Sequence, residues 1–286
     1  MPAPGVGTQP SGRRALILGC GFTGRRVAER LLARGVAVIA TTRDPARLGR
    51  LARLGVDVQR LDALDPDDIA RLPSCRIVLH SIPVIGGRDG WLDATPALMA
   101  AAAPRRVVYL SSTGVYGSAK QVDETTPAAP GGQRARLRVQ AEEAVAGGGW
   151  SWMILRAAAI YGPGRGVHEA MRAGTHRLVG DGGNYVSRIQ VDDLAAITEA
   201  ALLSDLTGAW PVADEQPCRA REIAEFCAGL LGVPMPPALE RPEAGDTRSS
   251  DRIVDGSAIR RALGVTLRYP SYRTGVPACV SAAALP

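Results

Sequence analysis

Gly19, Gly21 and Gly24 stand at the spacing of a G-x-G-x-x-G loop, between the apolar run Ala15-Leu16-Ile17-Leu18 and the helical pattern Val27, Leu31, Leu32. The chemistry of such a loop is phosphate binding. Gly19 allows a tight turn, Gly21 lets backbone N–H groups approach a pyrophosphate, and Gly24 lets the helix lie close on the strand. Phe22 and Thr23 complete the loop, and the positive end of the helix faces the phosphates. The second apolar run ends in Thr41-Thr42-Arg43, where NAD-preferring folds of this type carry an acid about 20 residues past the loop. Arg43 cannot accept a hydrogen bond. It donates a fork of charge-assisted bonds suited to a ribose 2′-phosphate, with Thr42 as a neutral helper. NADP(H) is therefore the expected cofactor and NAD(H) the second choice, Asp44 being close by; the bland alternative makes Arg43 the start of a solvated turn. Asp62, just past the third run, is placed for an adenine amino group. Ser81 and Ile82, past the fourth, are placed for the middle of the cofactor. His80, inside an apolar run, is expected as a hydrogen-bonded core or wall residue rather than a base.

The elements that must position these residues are legible as alternation. Apolar runs at 15–18, 36–41, 56–61, 77–81, 107–111 and 153–156 alternate with helical patterns. That is the signature of an α/β fold, a doubly wound parallel (Rossmann) sheet covered by helices on both faces. Asp44-Pro45 starts the second helix with a cap and a first-turn proline, and Gly55 sits past its end. After Arg156 the pattern becomes irregular and predicts a smaller C-terminal substrate lobe over the carboxyl ends of the strands, where ligands bind in open α/β sheets. The expected division is a dinucleotide-binding domain over 13–160 and the lobe over 161–276, with 187–203 returning to the core. Asp192 or Asp193 is expected to cap the helix that runs to about Leu203. Residues 1–12 and 277–286 are expected as loose tails.

Composition narrows the class. A chain of 286 residues can bury one large core or two modest ones. No apolar stretch has the length of a membrane span, and the first 14 residues lack the apolar core of a secretory signal. A cytoplasmic protein is the expectation. The 5 cysteines are odd in number, scattered and never in C-x-x-C spacing, which argues against a disulfide framework and against a metal site. A net charge of +6 comes from arginines interleaved with acids rather than from a basic block, so neither nucleic acid nor membrane is the expected partner. A small-molecule substrate is expected, with a homodimer as the partner state to test. Lys120 is the only lysine.

Two further segments point together: Tyr109-Leu110-Ser111-Ser112-Thr113-Gly114-Val115-Tyr116-Gly117, and Leu155-Arg156 through Ile160-Tyr161-Gly162-Pro163-Gly164-Arg165. With the glycine loop and Val191-Asp192-Asp193-Leu194-Ala195, they resemble the extended short-chain dehydrogenase/reductases, the NAD(P)-dependent epimerase/dehydratase group, over nearly all of 14–276. The segments Ser250-Asp251-Arg252 and Leu267-Arg268-Tyr269-Pro270-Ser271-Tyr272 resemble a bacterial subgroup known mainly as sugar-epimerase-like NAD(P)-binding proteins. The resemblance implies a Ser or Thr after the fifth strand and a Tyr-x-x-x-Lys pair on the next helix, the tyrosine exchanging the hydroxyl proton and the lysine lowering its pKa. Ser112 matches the first position. Matching the helix through Ala141-Glu142 puts Arg134 at the tyrosine and Arg138 at the lysine. Arginine stays protonated and accepts nothing, so Arg134 cannot be a general base.

One literal match to that pair exists, Tyr116 with Lys120, earlier in the chain than the family has it. Either Tyr116 donates the proton with Lys120 beside it, or Tyr116 belongs to the turn and Lys120 to the surface. Tyr161 and Arg165 fall where the family meets its substrate. Arg134 and Arg138 suit an anionic or phosphorylated substrate, unless they are a solvated helix face. The expected function is an NADP-dependent oxidoreductase, epimerase or dehydratase acting on a small polar metabolite. The alternative is a dinucleotide-binding sensor or partner protein without turnover.

Overall fold

Alternate side chains of the first strand enter different cores. Ala15 and Ile17 join one buried cluster with Val27, Ala28 and Leu31, while Leu16 and Leu18 join another with Leu98, Met99 and Val145. A strand buried on both faces is what the continuous apolar run required. The computed structural model describes residues 13–87, 90–240 and 250–283. Its central sheet is made of β1 (Arg14–Leu18), β2 (Ala37–Thr42), β3 (Asp57–Arg60), β4 (Ile77–His80), β5 (Arg106–Ser112), β6 (Ser151–Ala157) and β7 (Gly208–Val212). All pairs are parallel, in the order β7-β6-β5-β4-β1-β2-β3. The chain thus winds outward in one direction from β1 and in the other from β4. The switch point between those two strands is where a crevice opens at their carboxyl ends.

Ten helices are described: α1 (Phe22–Ala33), α2 (Gly49–Arg53), α3 (Pro66–Ala70), α4 (Thr95–Ala102), α5 (Gln133–Ala146), α6 (Val167–Arg172), α7 (Val191–Leu203), α8 (Ala220–Leu231), α9 (Ser257–Leu263) and α10 (Tyr272–Ala283). Helix α7 lies along α1, and Leu194, Ala195, Ile197 and Ala201 enter the same core as Ile17. A third cluster, built from Tyr161, Met171, Ile223, Cys227, Tyr272 and Cys279, holds the smaller lobe together.

Three expectations are corrected. The sheet gains β7 from a segment read as too irregular, because Gly208 and Pro211 interrupt the pattern. Proline is tolerated there since β7 pairs only with β6, at an edge. Helix α7 is capped by Gln190, whose side-chain oxygen accepts from the Asp192 amide, so Asp192 and Asp193 lie inside the first turn instead. Residues 277–283, read as the start of a tail, form the second half of α10, and Cys279 on it is buried. The tail expected over 1–12 lies outside the described residues.

Candidate functional site

The glycine loop sits at the carboxyl end of β1, on the switch point. Gly19 turns the chain at φ +78°, and a Cβ there would fall 2.7 Å from Ile82 Cγ1. A Cβ on Gly24 would meet Ile17 Cγ2 at 3.2 Å, so the helix seats directly on the strand. At Gly21 a Cβ would find nothing nearer than the Gly19 carbonyl, 3.9 Å away. The three glycines therefore do three jobs, and only Gly21 faces open space. Helix α1 starts with no side-chain cap and no acid in its first turn, which leaves its positive end for an anion from outside the chain.

Thr41, fully buried, holds the loop. Its hydroxyl accepts from the Gly19 amide at 3.1 Å and donates to the Ile17 carbonyl at 3.2 Å, while its carbonyl accepts from the Cys20 amide at 2.7 Å. Ser81 donates to the Gly19 carbonyl at 2.9 Å from the end of β4. Burial drives the Cys20 thiol up to about 12, so it is no nucleophile.

Thr42 ends β2, and Arg43, just past it, is exposed. The neighbouring Asp44 is engaged locally: it accepts from the Ala46 amide at 3.2 Å and from Arg47 at 3.2 Å. Asp62 follows β3, with one carboxylate oxygen taken by the Leu64 amide at 3.1 Å. Its own amide donates to buried Asp68 at 2.8 Å, and that bond holds the Asp68 carboxyl below its usual range. A cavity of about 350 Å³ lies on the outer side of α1, lined by Arg25, Arg26, Arg47, Arg50 and the acids Glu29 and Asp192. No glycine-loop residue lines it.

At the far end of the crevice Ser112 ends β5 and caps the turn that follows, accepting from the Gly114 amide at 3.1 Å. Tyr116, four residues on, is 1% exposed. The Arg156 guanidinium covers its ring, 4.9 Å from the centroid. Burial raises its pKa, partly offset by Arg156. Arg156 in turn is paired with Glu142 at 2.7 Å in the interior, and Glu142 also accepts from Ser111. Tyr116 is thus buried in the core under Arg156, which corrects its reading as proton donor. Lys120 is corrected with it: its side chain is 78% exposed and its ammonium lies 3.5 Å from Asp251. The turn itself is held by Arg252. This buried guanidinium donates to the carbonyls of Thr113 at 2.7 Å and Ala119 at 2.9 Å, and to that of Gly117.

Helix α5 buries Arg138, Ala141, Glu142 and Val145, an i, i+3, i+4, i+7 stripe. Arg138 belongs to that inner face and is 8% exposed, so it is not offered to a substrate as expected; Arg134 is exposed in the first turn. His80 is buried within range of the Arg138 charge, its Nε2 2.9 Å from Thr95 Oγ1 and its ring stacked on Tyr109 at 4.8 Å. Burial, helped by the Arg138 charge, takes its pKa down to about 3, so it is neutral. Tyr161 is also moved from its expected place. It is 3% exposed in the lobe core, its hydroxyl 3.4 Å from the Ser271 carbonyl, and burial raises its pKa. Arg165 rests over the ring of Phe22, with 5.3 Å to the centroid, beside the glycine loop.

Of the expected cofactor residues, the loop, Ser81 and Ile82 meet at the switch point; of the expected catalytic and substrate residues, Tyr116, Arg138 and Tyr161 are buried while Lys120, Arg134 and Arg165 are exposed. Thr41, Glu142, Arg156 and Arg252 were not singled out for these roles. Thr41 and Arg156 lie at the ends of apolar runs, and Glu142 and Arg252 within segments that carry the family resemblance, but nothing in those segments states their partners. Among the described residues no cluster of His, Cys, Asp and Glu could hold a metal ion, and no helix is long and apolar enough to cross a membrane.

Comparison with known proteins gives consistent matches. A family model described as NAD(P)H-binding matches residues 19–202. A 3-diazoavenalumate denitrifying reductase from Streptomyces sp. is 28% identical over 92% of this chain and 99% of its own. A conserved protein of unknown function from Silicibacter pomeroyi is 31% identical, with a TM-score of 0.79 over 95% of this chain and 99% of its own. UDP-glucose 4-epimerase from Thermus thermophilus, solved with NAD, shares the fold at 21% identity, with a TM-score of 0.81 over 95% of this chain and 99% of its own.

Proposed function

We propose, because this chain belongs to the NAD(P)H-binding family and resembles the extended short-chain dehydrogenase/reductases, that it is an NADP(H)-dependent oxidoreductase, epimerase or dehydratase of a small polar metabolite. The observation that carries the reading is the loop at Gly21, open on its outer side at the uncapped start of α1. When bound, the nicotinamide gives or takes a hydride. The chain's own part is to bind and orient. Amides of the loop and α1 take the pyrophosphate, Asp62 the adenine, and Ser81 and Ile82 line the middle. Arg43 supports the NADP(H) preference, since its guanidinium is exposed past β2 while the nearby carboxylate of Asp44 is occupied by Ala46 and Arg47. At the reaction end Ser112 accepts from Gly114 and keeps its own proton to donate to a substrate oxygen.

A specific observation favours a second reading, binding without turnover. The helix positions that should carry tyrosine and lysine hold Arg134 and Arg138, and Tyr116 is buried beneath Arg156. One experiment separates the two. The protein is titrated with NADPH and NADH, and each bound nucleotide is then followed by its absorbance during exposure to a panel of aldehydes, ketones and keto-sugars. An oxidoreductase predicts net consumption of NADPH with some carbonyl, an epimerase or dehydratase returns its hydride and predicts an altered sugar on product analysis without net consumption, and a sensor predicts saturable binding with neither. Repeating the titration with Arg43→Ala tests the preference, which fails if the NADPH to NADH affinity ratio is unchanged.

A further inference from the structure

We infer that Arg165 is a cofactor-holding residue, its guanidinium reaching from the substrate lobe onto the dinucleotide pyrophosphate. The inference rests on the reading of the glycine loop as the cofactor site. Its starting observation is a rigid turn. Gly162 and Arg165 exchange backbone hydrogen bonds at 2.9 and 3.0 Å, and the turn is seated on the first residue of α1. A Cβ on Gly162 would fall 2.5 Å from Val191 Cγ1 and 3.0 Å from Phe22 Cζ, so nothing larger than glycine fits between this turn and the loop. From that base the Arg165 guanidinium lies over the Phe22 ring, 5.3 Å from its centroid. This cation–π contact holds the guanidinium over the ring without using its N–H donors.

Charge then separates the two arginines that share this ring. Arg26, 4.6 Å from the centroid, is neutralised by Asp192 at 2.6 Å. Among the described residues Arg165 meets no carboxylate, and the first turn of α1 holds no acid. A positive side chain therefore rests beside the positive end of a helix, an unfavourable pairing until an anion comes between them. A diphosphate on the Gly21 and Phe22 amides supplies that anion, and a planar guanidinium matches its oxygens in pairs.

The test compares ligands with and without the diphosphate. Full-length wild type, Arg165→Ala and Arg165→Gln are titrated calorimetrically with NADPH and NADH. They are also titrated with adenosine 2′-monophosphate, or with adenosine if NADH binds wild type more tightly. Both variants are expected to lose roughly tenfold to a hundredfold in affinity for the preferred dinucleotide, the range for one charge-assisted contact. Affinity for the ligand lacking a diphosphate is expected to stay within about twofold, which also reports an intact fold. Equal losses for both ligands, or no loss for either, overturn the inference while leaving the cofactor reading standing. Wild type that binds neither dinucleotide overturns that reading, and this one with it.

Discussion

Gly19 and Gly21 lie two residues apart and respond differently to the same added methyl group. Alanine at Gly19 must adopt φ +78° and push against Ile82 at 2.7 Å, so Gly19→Ala is expected to cost about 1–3 kcal/mol of stability as well as cofactor affinity. Gly21→Ala meets nothing in the protein, so its melting temperature is expected to stay near wild type while NADPH binding weakens. Calorimetric melting and nucleotide titration of both variants check the contrast; a Gly21→Ala protein that binds normally would remove the pyrophosphate from this loop. At this scale the sequence disclosed backbone requirements better than side-chain directions. A glycine spacing states what the backbone must do. Whether Tyr116 and Tyr161 point to a crevice or a core depends on partners such as Arg156 and Ser271, which only the tertiary fold brings near.

Helix α5 shows how an element can mislead. Its stretch Arg134-Ala135-Arg136-Leu137-Arg138 reads as a solvated face, yet Arg138 and Glu142 occupy the inner stripe. The reason is a polar interior at the ends of β5 and β6, where Ser111 and Arg156 need a carboxylate and Glu142 supplies it. Periodicity located the helix, but it could not assign a charged residue to the buried face. Removing that carboxylate leaves Arg156, its side chain only 11% exposed, without its ion-pair partner, so Glu142→Ala is expected to destabilise the protein by about 3–5 kcal/mol. Urea unfolding would measure it, and a loss under about 1 kcal/mol would mean that water compensates Arg156. Strand β7 escaped the alternation for the opposite reason: edge position relaxes the rule against proline, so the pattern that marks a central strand is absent.

Across the whole molecule the core and the lobe meet near Asp214, just past the end of β7. The Asp214 amide donates to the Arg188 carbonyl at 2.7 Å, and the next residue, Glu215, donates its amide to the Pro270 carbonyl at 2.9 Å. One Asp214 oxygen accepts from the Gln216 amide at 3.3 Å and the other has no partner, and burial pushes the carboxyl up to about 7 despite Arg188 and Arg260 nearby. The folded protein therefore keeps this proton where the unfolded chain, with an aspartate pKa of about 3.9, has released it. The stabilisation is complete below about pH 4 and is lost as pH rises through about 7. Relative to Asp214→Asn, wild-type stability is expected to fall across that window by up to about 4 kcal/mol and then stay level. Parallel denaturation curves for the two proteins would rule out a titrating Asp214.

The three carbonyl contacts of Arg252 also have a consequence in time. Thr113 and the guanidinium that fixes it are 139 residues apart in the chain. A growing polypeptide emerges from its amino end and can fold its early portions first. While it is being made, it can therefore close the glycine loop on β1 well before the turn after β5 has its anchor. Until residue 252 emerges from the ribosome, the nascent protein would own a place for phosphates but no finished place for a reaction.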